Sequence, residues 1–340
     1  MRYMIGYQRM RDDRLKTTIL RYKESISEIY FSWGEMPSGR GTMDKSGNLF
    51  PFDAQREMLE ELEEYSRSGI GMNLLLNGNC YGRMSQARVF FEKIGETVEF
   101  LSAHIHLTSI TTTSPLIAKF IKQNFTDLET RASVNMEIGT VQGMDYLSDV
   151  FDGYYMKREL NRNRKEIRKL HAWCQSNGKK LYGLANSGCL NYCSAHVFHD
   201  NLVAHENEIR EMDNAYDFRG ACHEYLKKEE KRIHFLRDTN FIRPEDVALY
   251  EPYFDALKLA TRVNRNPAAV VEAYLTRHYR GNLPDLMEPD HAEAFYPDVI
   301  ENTHLPADFG SHVLDCDHNC ESCSYCEEAL SGAKVHLNFN

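Results

Sequence analysis

Apolar positions along the chain fall into two alternating patterns. Short strand-like segments lie at 4–8, 26–31, 70–76, 103–110, 128–134, 152–156, 180–185 and 256–261, the seventh read as a short buried apolar run. Helical periodicity marks 12–22, 53–67, 85–94, 115–123, 163–177, 244–253 and 267–279. In 53–67 the residues Ala54, Met58, Leu59, Leu62 and Tyr65 share one face. A Gly/Pro/Ser loop is expected over 33–47, between the second strand and that helix. Eight strands, most followed by a helix, predict parallel pairing and an α/β fold, a (β/α)8 TIM-type barrel. An open doubly wound sheet would carry a phosphate-binding Gly loop after its first strand. Gly69 and Gly71 precede a strand instead. The barrel domain is expected to span 1–280, and 281–340 to form a cysteine-rich C-terminal extension, rich in Pro and acidic residues. With few apolar residues of its own, that extension is expected to order by docking on the barrel and by binding metal.

Composition narrows the class. The chain has 340 residues, 42% hydrophobic and 26% charged, enough to bury a sizeable core. A net charge of −10 without a basic block argues against broad, charge-driven nucleic-acid binding. The start lacks the long apolar segment of a secretory leader, and no run approaches a membrane span. A soluble cytoplasmic protein is expected. Nine cysteines in a reducing compartment point to metal ligation rather than a disulfide framework.

Cys189 and Cys193 sit just beyond the seventh strand, with Cys222 after an acidic insertion. Three thiolates suit a soft metal centre, and Cys80, at the end of the third strand, is the expected fourth ligand. The competing reading makes Cys80 or Cys222 a buried small hydrophobe. Cys174 shares a helical face with Ile167, Leu170 and His171 and reads as core. In the extension, Cys316, Cys320, Cys323 and Cys326 have the spacing C-x3-C-x2-C-x2-C. Their crowding favours an iron–sulfur cluster, with zinc as the alternative. The expected cofactor is therefore one or two [4Fe-4S] clusters. The first three tail cysteines share the spacing of a radical S-adenosylmethionine motif, but that motif normally follows the first strand of a barrel.

Catalytic groups of such barrels gather at the C-terminal ends of strands. By this rule Arg158, Asn186 and Arg262 are candidates for orienting substrate. His104 and His106, read as alternate residues of the fourth strand, would face one side of the sheet. His196, His199 and His205 follow the cysteine pair and are candidate supporting or substrate groups. No Gly-x-Ser-x-Gly, His-Glu-x-x-His or Walker sequence is present.

Several segments resemble, in order, those of the collagenase-like peptidase family (unclassified peptidase family 32). They are Tyr155-Met156-Lys157-Arg158-Glu159-Leu160, Asn186-Ser187-Gly188-Cys189, Phe241-Ile242-Arg243-Pro244-Glu245-Asp246 and the stretch from Phe254 to Arg262. The resemblance implies a barrel domain and, in several members, a [4Fe-4S] cluster held by four cysteines. It implies oxygen-independent hydroxylation of a quinone precursor or of RNA bases. Cys189 and Cys193 match the C-x3-C of the quinone-pathway branch, whereas the tail motif lies outside the common pattern. The expected function is thus an iron–sulfur barrel enzyme of redox or hydroxylation chemistry, acting on a small molecule, peptide or RNA and served by an electron-donor protein. The rivals are a peptidase-like hydrolase with a structural metal, and a non-catalytic electron-transfer or docking module.

Overall fold

The computed structural model describes residues 1–34, 36, 38–39 and 51–338. Most of the predicted loop at 33–47 lies outside the described residues. Eight parallel strands close into a barrel in sequence order. They are β1 (Tyr3–Gly6), β2 (Ile26–Phe31), β3 (Gly71–Leu76), β4 (Leu107–Thr112), β5 (Glu129–Ala132), β6 (Gly153–Tyr155), β7 (Lys180–Leu184) and β8 (Ala256–Leu259). Closure comes from β1 against β8, where Tyr3 pairs with Leu257 and Met4 with Lys258. All six residues of β3 are buried, as the unbroken apolar run requires of a strand covered on both faces. The fold is the expected (β/α)8 TIM type.

Local signals set the helix ends. Ser114 accepts a hydrogen bond from the Ile117 amide ahead of Pro115–Asn124, and Asn163 caps Arg164–Ser176 through the Glu166 amide. The latter helix buries Ile167, Leu170 and Cys174, so Cys174 is a core residue as read. Burial pushes its thiol up to about 12.

Two elements depart from the sequence reading. The helix expected at 85–94 runs from Arg88 to His104, because Ile94, Val98 and Leu101 continue its buried stripe. β4 therefore starts only at Leu107. His104 ends the helix, with its Nδ1 2.8 Å from the Phe100 carbonyl, and His106 precedes the strand; both are exposed. Neither faces the barrel interior. The helix expected at 244–253 is a 3-10 turn, Pro244–Leu249, in which Arg243 clamps Asp246 at 2.6 and 3.0 Å.

The barrel interior holds a buried charge network below the strand ends. Arg131 donates to Glu28 at 2.7 Å and to Glu129 at 2.7 Å. Burial alone would raise the Glu129 pKa, but Arg131, Lys180 and Tyr182 outweigh it and hold it at about 2. These carboxylates and guanidinium satisfy one another and serve the fold.

A second apolar cluster lies beside the barrel. Leu226, Phe235, Leu236 and Phe241, from the excursion after β7, pack with Phe295, Ile300, Phe309 and Leu330 of the extension. Within the extension β9 (Asp298–Ile300) pairs antiparallel with β10 (Lys334–His336). No helix among the described residues is long and apolar enough to cross a membrane.

Candidate active site and cysteine centres

β7 ends at Leu184, and the next residues are gripped by the extension. Asn186 is fully buried; its Nδ2 donates to the carbonyls of Ala260 and Leu286, each at 2.8 Å, and its Oδ1 accepts from the Ala260 amide at 2.6 Å. The Glu288 amide donates to the Asn186 carbonyl at 3.0 Å, and the Gly188 amide to the Glu288 carbonyl at 3.1 Å. A Cβ at Gly188 would stand 2.0 Å from the Pro289 carbonyl oxygen, so no larger residue fits without displacement. The Asn-Ser-Gly-Cys segment is thus a clasp joining β7, β8 and the extension. Asn186 is not among the residues lining the cavity described next; its amide holds backbone.

Above the strand ends lies a cavity to which Cys189, Cys193 and Cys222 all contribute. Tyr192, at φ 56°, takes the left-handed conformation between the first two and turns the chain sharply there. Burial first, then the Cys189 and Cys193 charges, push the Cys222 thiol up to about 11. Arg158 and Arg262, two of the sequence candidates, line the same cavity. Arg158 is 8% exposed and donates from Nη1 to Cys189 Sγ at 3.2 Å. Its Nη2 meets His196 Nε2, while His196 Nδ1 meets Glu137 and Asp200 stands 3.1 Å from Nε2. Asp200 first raises the His196 pKa, against burial and Arg158. Arg262 donates to Ser32 Oγ at 2.8 Å.

The sequence reading missed Lys258. Its ammonium lies 4.1 Å from the Tyr30 ring centre and 5.3 Å from that of Tyr155, on the cavity wall. A lone lysine in the otherwise apolar strand Ala256–Leu259 was the available signal. It also missed Glu288 and Pro289, which bring the extension into the cavity wall; nothing local marks them.

Cys80 is not among the residues lining that cavity. A hydrogen bond from His205 first, then one from the Gly82 amide at 3.4 Å, lower its pKa. His205 Nδ1 lies 3.1 Å from Glu208 Oε2. His199 does line the cavity, beside Cys222 at Gly220.

Cys316, Cys320 and Cys323 lie between the helices Phe309–Leu314 and Tyr325–Ala333, and Cys326 is in the first turn of the second. His318, at φ 59°, turns the first interval, and its amide donates to Cys316 Sγ at 3.3 Å. Burial raises the Cys326 thiol to about 11, Arg162 pulls it down, and Cys316, Cys320 and Cys323 each add to the rise. Cys326 is therefore within electrostatic reach of the other three thiols. Among the described residues, no group of three or more His, Cys, Asp or Glu side chains is arranged to hold a metal ion. What fits a metal–thiolate centre is the donor set: three thiols on one cavity, and four in the tail beside a buried cation.

No family model matches the chain. It is 25% identical to an uncharacterized protease of Methanocaldococcus jannaschii, over 94% of this chain and 92% of that protein. A solved U32 peptidase superposes with a TM-score of 0.54 at 13% identity, covering 76% of this chain and 91% of the other. The solved structure speaks for the fold. The sequence relative matches this chain over nearly the whole of both lengths.

Proposed function

We propose that this chain is a U32-related, iron–sulfur-dependent barrel enzyme performing oxygen-independent redox or hydroxylation chemistry on a polar, anionic substrate. The observation that carries the reading is the meeting of Cys189, Cys193 and Cys222 with Arg158, Lys258 and Arg262 on one cavity at the C-terminal mouth. Three protein thiolates would leave one position of a [4Fe-4S] cluster for a fourth ligand or for substrate. Such a cluster supplies single-electron transfer. Arg158 and Arg262 would orient an anionic group of the substrate, as planar guanidinium donors do. His196, poised between Glu137, Asp200 and Arg158, would hold or release a proton at Nε2. For hydroxylation with water as oxygen source the balance is R–H + H2O → R–OH + 2 H⁺ + 2 e⁻. The partner protein of this oxidation would be an electron acceptor, not the electron donor expected from the sequence. The tail cysteines are read as a second centre, iron–sulfur or zinc.

Anaerobic purification with iron, acid-labile sulfide and zinc analysis tests the reading. Iron and sulfide, lost in part on Cys189→Ser, support it. Zinc alone, or no metal in anaerobically prepared protein, overturns it.

A second reading, a thiol-dependent peptidase, has one observation in its favour. Cys80, His205 and Glu208 form a relay in which the thiol is activated by the imidazole and the imidazole is held by a carboxylate. The relative in Methanocaldococcus jannaschii is also called a protease. Peptide hydrolysis abolished by Cys80→Ala and indifferent to metal removal would establish it.

A further inference from the structure

Arg162 is a buried cation without an anionic hydrogen-bond partner. It is 4% exposed, and its Nε and Nη2 have no hydrogen-bond partner among the described residues. Its Nη1 donates to the Leu236 carbonyl. The guanidinium packs on aromatic faces, 5.0 Å from the Phe241 ring centre and 5.6 Å from that of Phe309. The neighbouring carboxylate, Asp246, is already clamped by Arg243. Burial lowers the Arg162 pKa, against the charges of Cys326, Tyr250, Asp246 and Cys316. The tail loop is fastened to the same residue, with His318 Nε2 3.1 Å from the Arg162 carbonyl.

An arginine keeps its charge when buried, and a buried unpaired charge is costly. Two orphaned donor nitrogens near Cys326 and Cys316 need an acceptor that is negative and large enough to take both. Four thiolates around zinc or an iron–sulfur core provide it: the whole carries net negative charge, and its sulfurs accept N–H hydrogen bonds. We infer that Arg162 is the built-in counter-cation of a metal centre at Cys316, Cys320, Cys323 and Cys326, positioning and charge-balancing its sulfurs. The inference rests on the reading that the tail binds metal. It adds a named residue to that site and gives the charge of the centre a sign. Arg162 is a positioning residue here.

The test uses the full chain and zinc, which has no redox chemistry to confuse the readout. Melting temperature is measured metal-free and zinc-loaded for the wild type, Arg162→Met, Arg162→Lys, Cys326→Ser and the Arg162→Met/Cys326→Ser double variant. Arg162→Met removes an uncompensated charge and should melt higher than wild type without metal. With zinc the order should reverse, and tail-site affinity should fall about 10–100-fold. Arg162→Lys should fall between, keeping the charge but losing the fork. In the Cys326→Ser background the zinc-dependent part of the Arg162→Met effect should vanish. Equal zinc stabilisation of wild type and Arg162→Met overturns the inference. So does failure of both Arg162 variants to fold while Cys326→Ser folds, because Arg162 would then be needed for packing alone. A wild type that takes up no metal overturns the metal reading itself, which separates the two failures.

Discussion

The 3-10 turn Arg158–Arg162 serves both cysteine sets, and the two ends of that turn do different things. At its start Arg158 reaches Cys189 and His196 on an open cavity. At its end Arg162 is enclosed by Phe241 and Phe309, with two donors unpartnered beside the tail cysteines. Between them Asn161 ties the turn down, donating to the carbonyls of Leu184 at 2.8 Å and Asn240 at 3.1 Å. An open site with a partnered cation suits a group that must meet substrate. A closed site with an unpartnered cation suits a centre that stays charged and apart from it. The same residue type, four positions apart and buried at both, takes on opposite work because its partners differ.

The largest expected effect breaks the comparison at the metal. Cys189→Ser should remove one centre's metal and absorbance while the tail keeps its own. Cys326→Ser should do the reverse and leave residues after about Asn282 open to protease. Unchanged metal content in both variants would refute two separate sites.

Next comes Arg158→Lys. Turnover should fall by about two orders of magnitude or more, because a flexible point charge replaces a planar fork. Metal content should hold, and the melting temperature should stay within a few degrees. A large stability loss instead would make Arg158 a structural partner of His196.

Gly188→Ala attacks the clasp that joins the extension to the open site. The clash with the Pro289 carbonyl should cost roughly 2–4 kcal/mol, read by denaturant unfolding. Asn186→Ala, which leaves buried carbonyls unpaired, should cost about 1–3 kcal/mol. If Asn186→Ala instead lost activity at full stability, the residue would belong to substrate binding after all.

The smallest effect is electrostatic. His196 has its pKa raised above 6.5, so its protonated form favours the fold. That contribution is fully present below about 6.5 and is lost as pH rises through the higher folded value. Asp200→Asn should shrink this pH dependence, and NMR titration of the His196 ring reads it directly. A His196 pKa unmoved by Asp200→Asn would show that Asp200 does not set it.

Much of this protein is written in short stretches of its chain. Eight strand-like segments, most followed by a helix, point to a parallel barrel, because each strand needs a helical crossover to reach its parallel neighbour. The four tail cysteines are legible for the same reason: eleven positions suffice to crowd four thiols. Other features depended on chain segments far apart. Asn186 lay at a strand end, where a substrate group belongs, yet residues 286–289 come back to use its amide and fill the space at Gly188. Cys80 lay at another strand end, yet His205 takes its thiol. Lys258 faces the cavity only because barrel closure stacks it on Tyr30 and Tyr155. Arg162 is unpartnered only because the excursion and the extension bury it together. Periodicity and spacing act along the chain. Which hydrogen-bond donors are used, and which charges lose water, is decided across it.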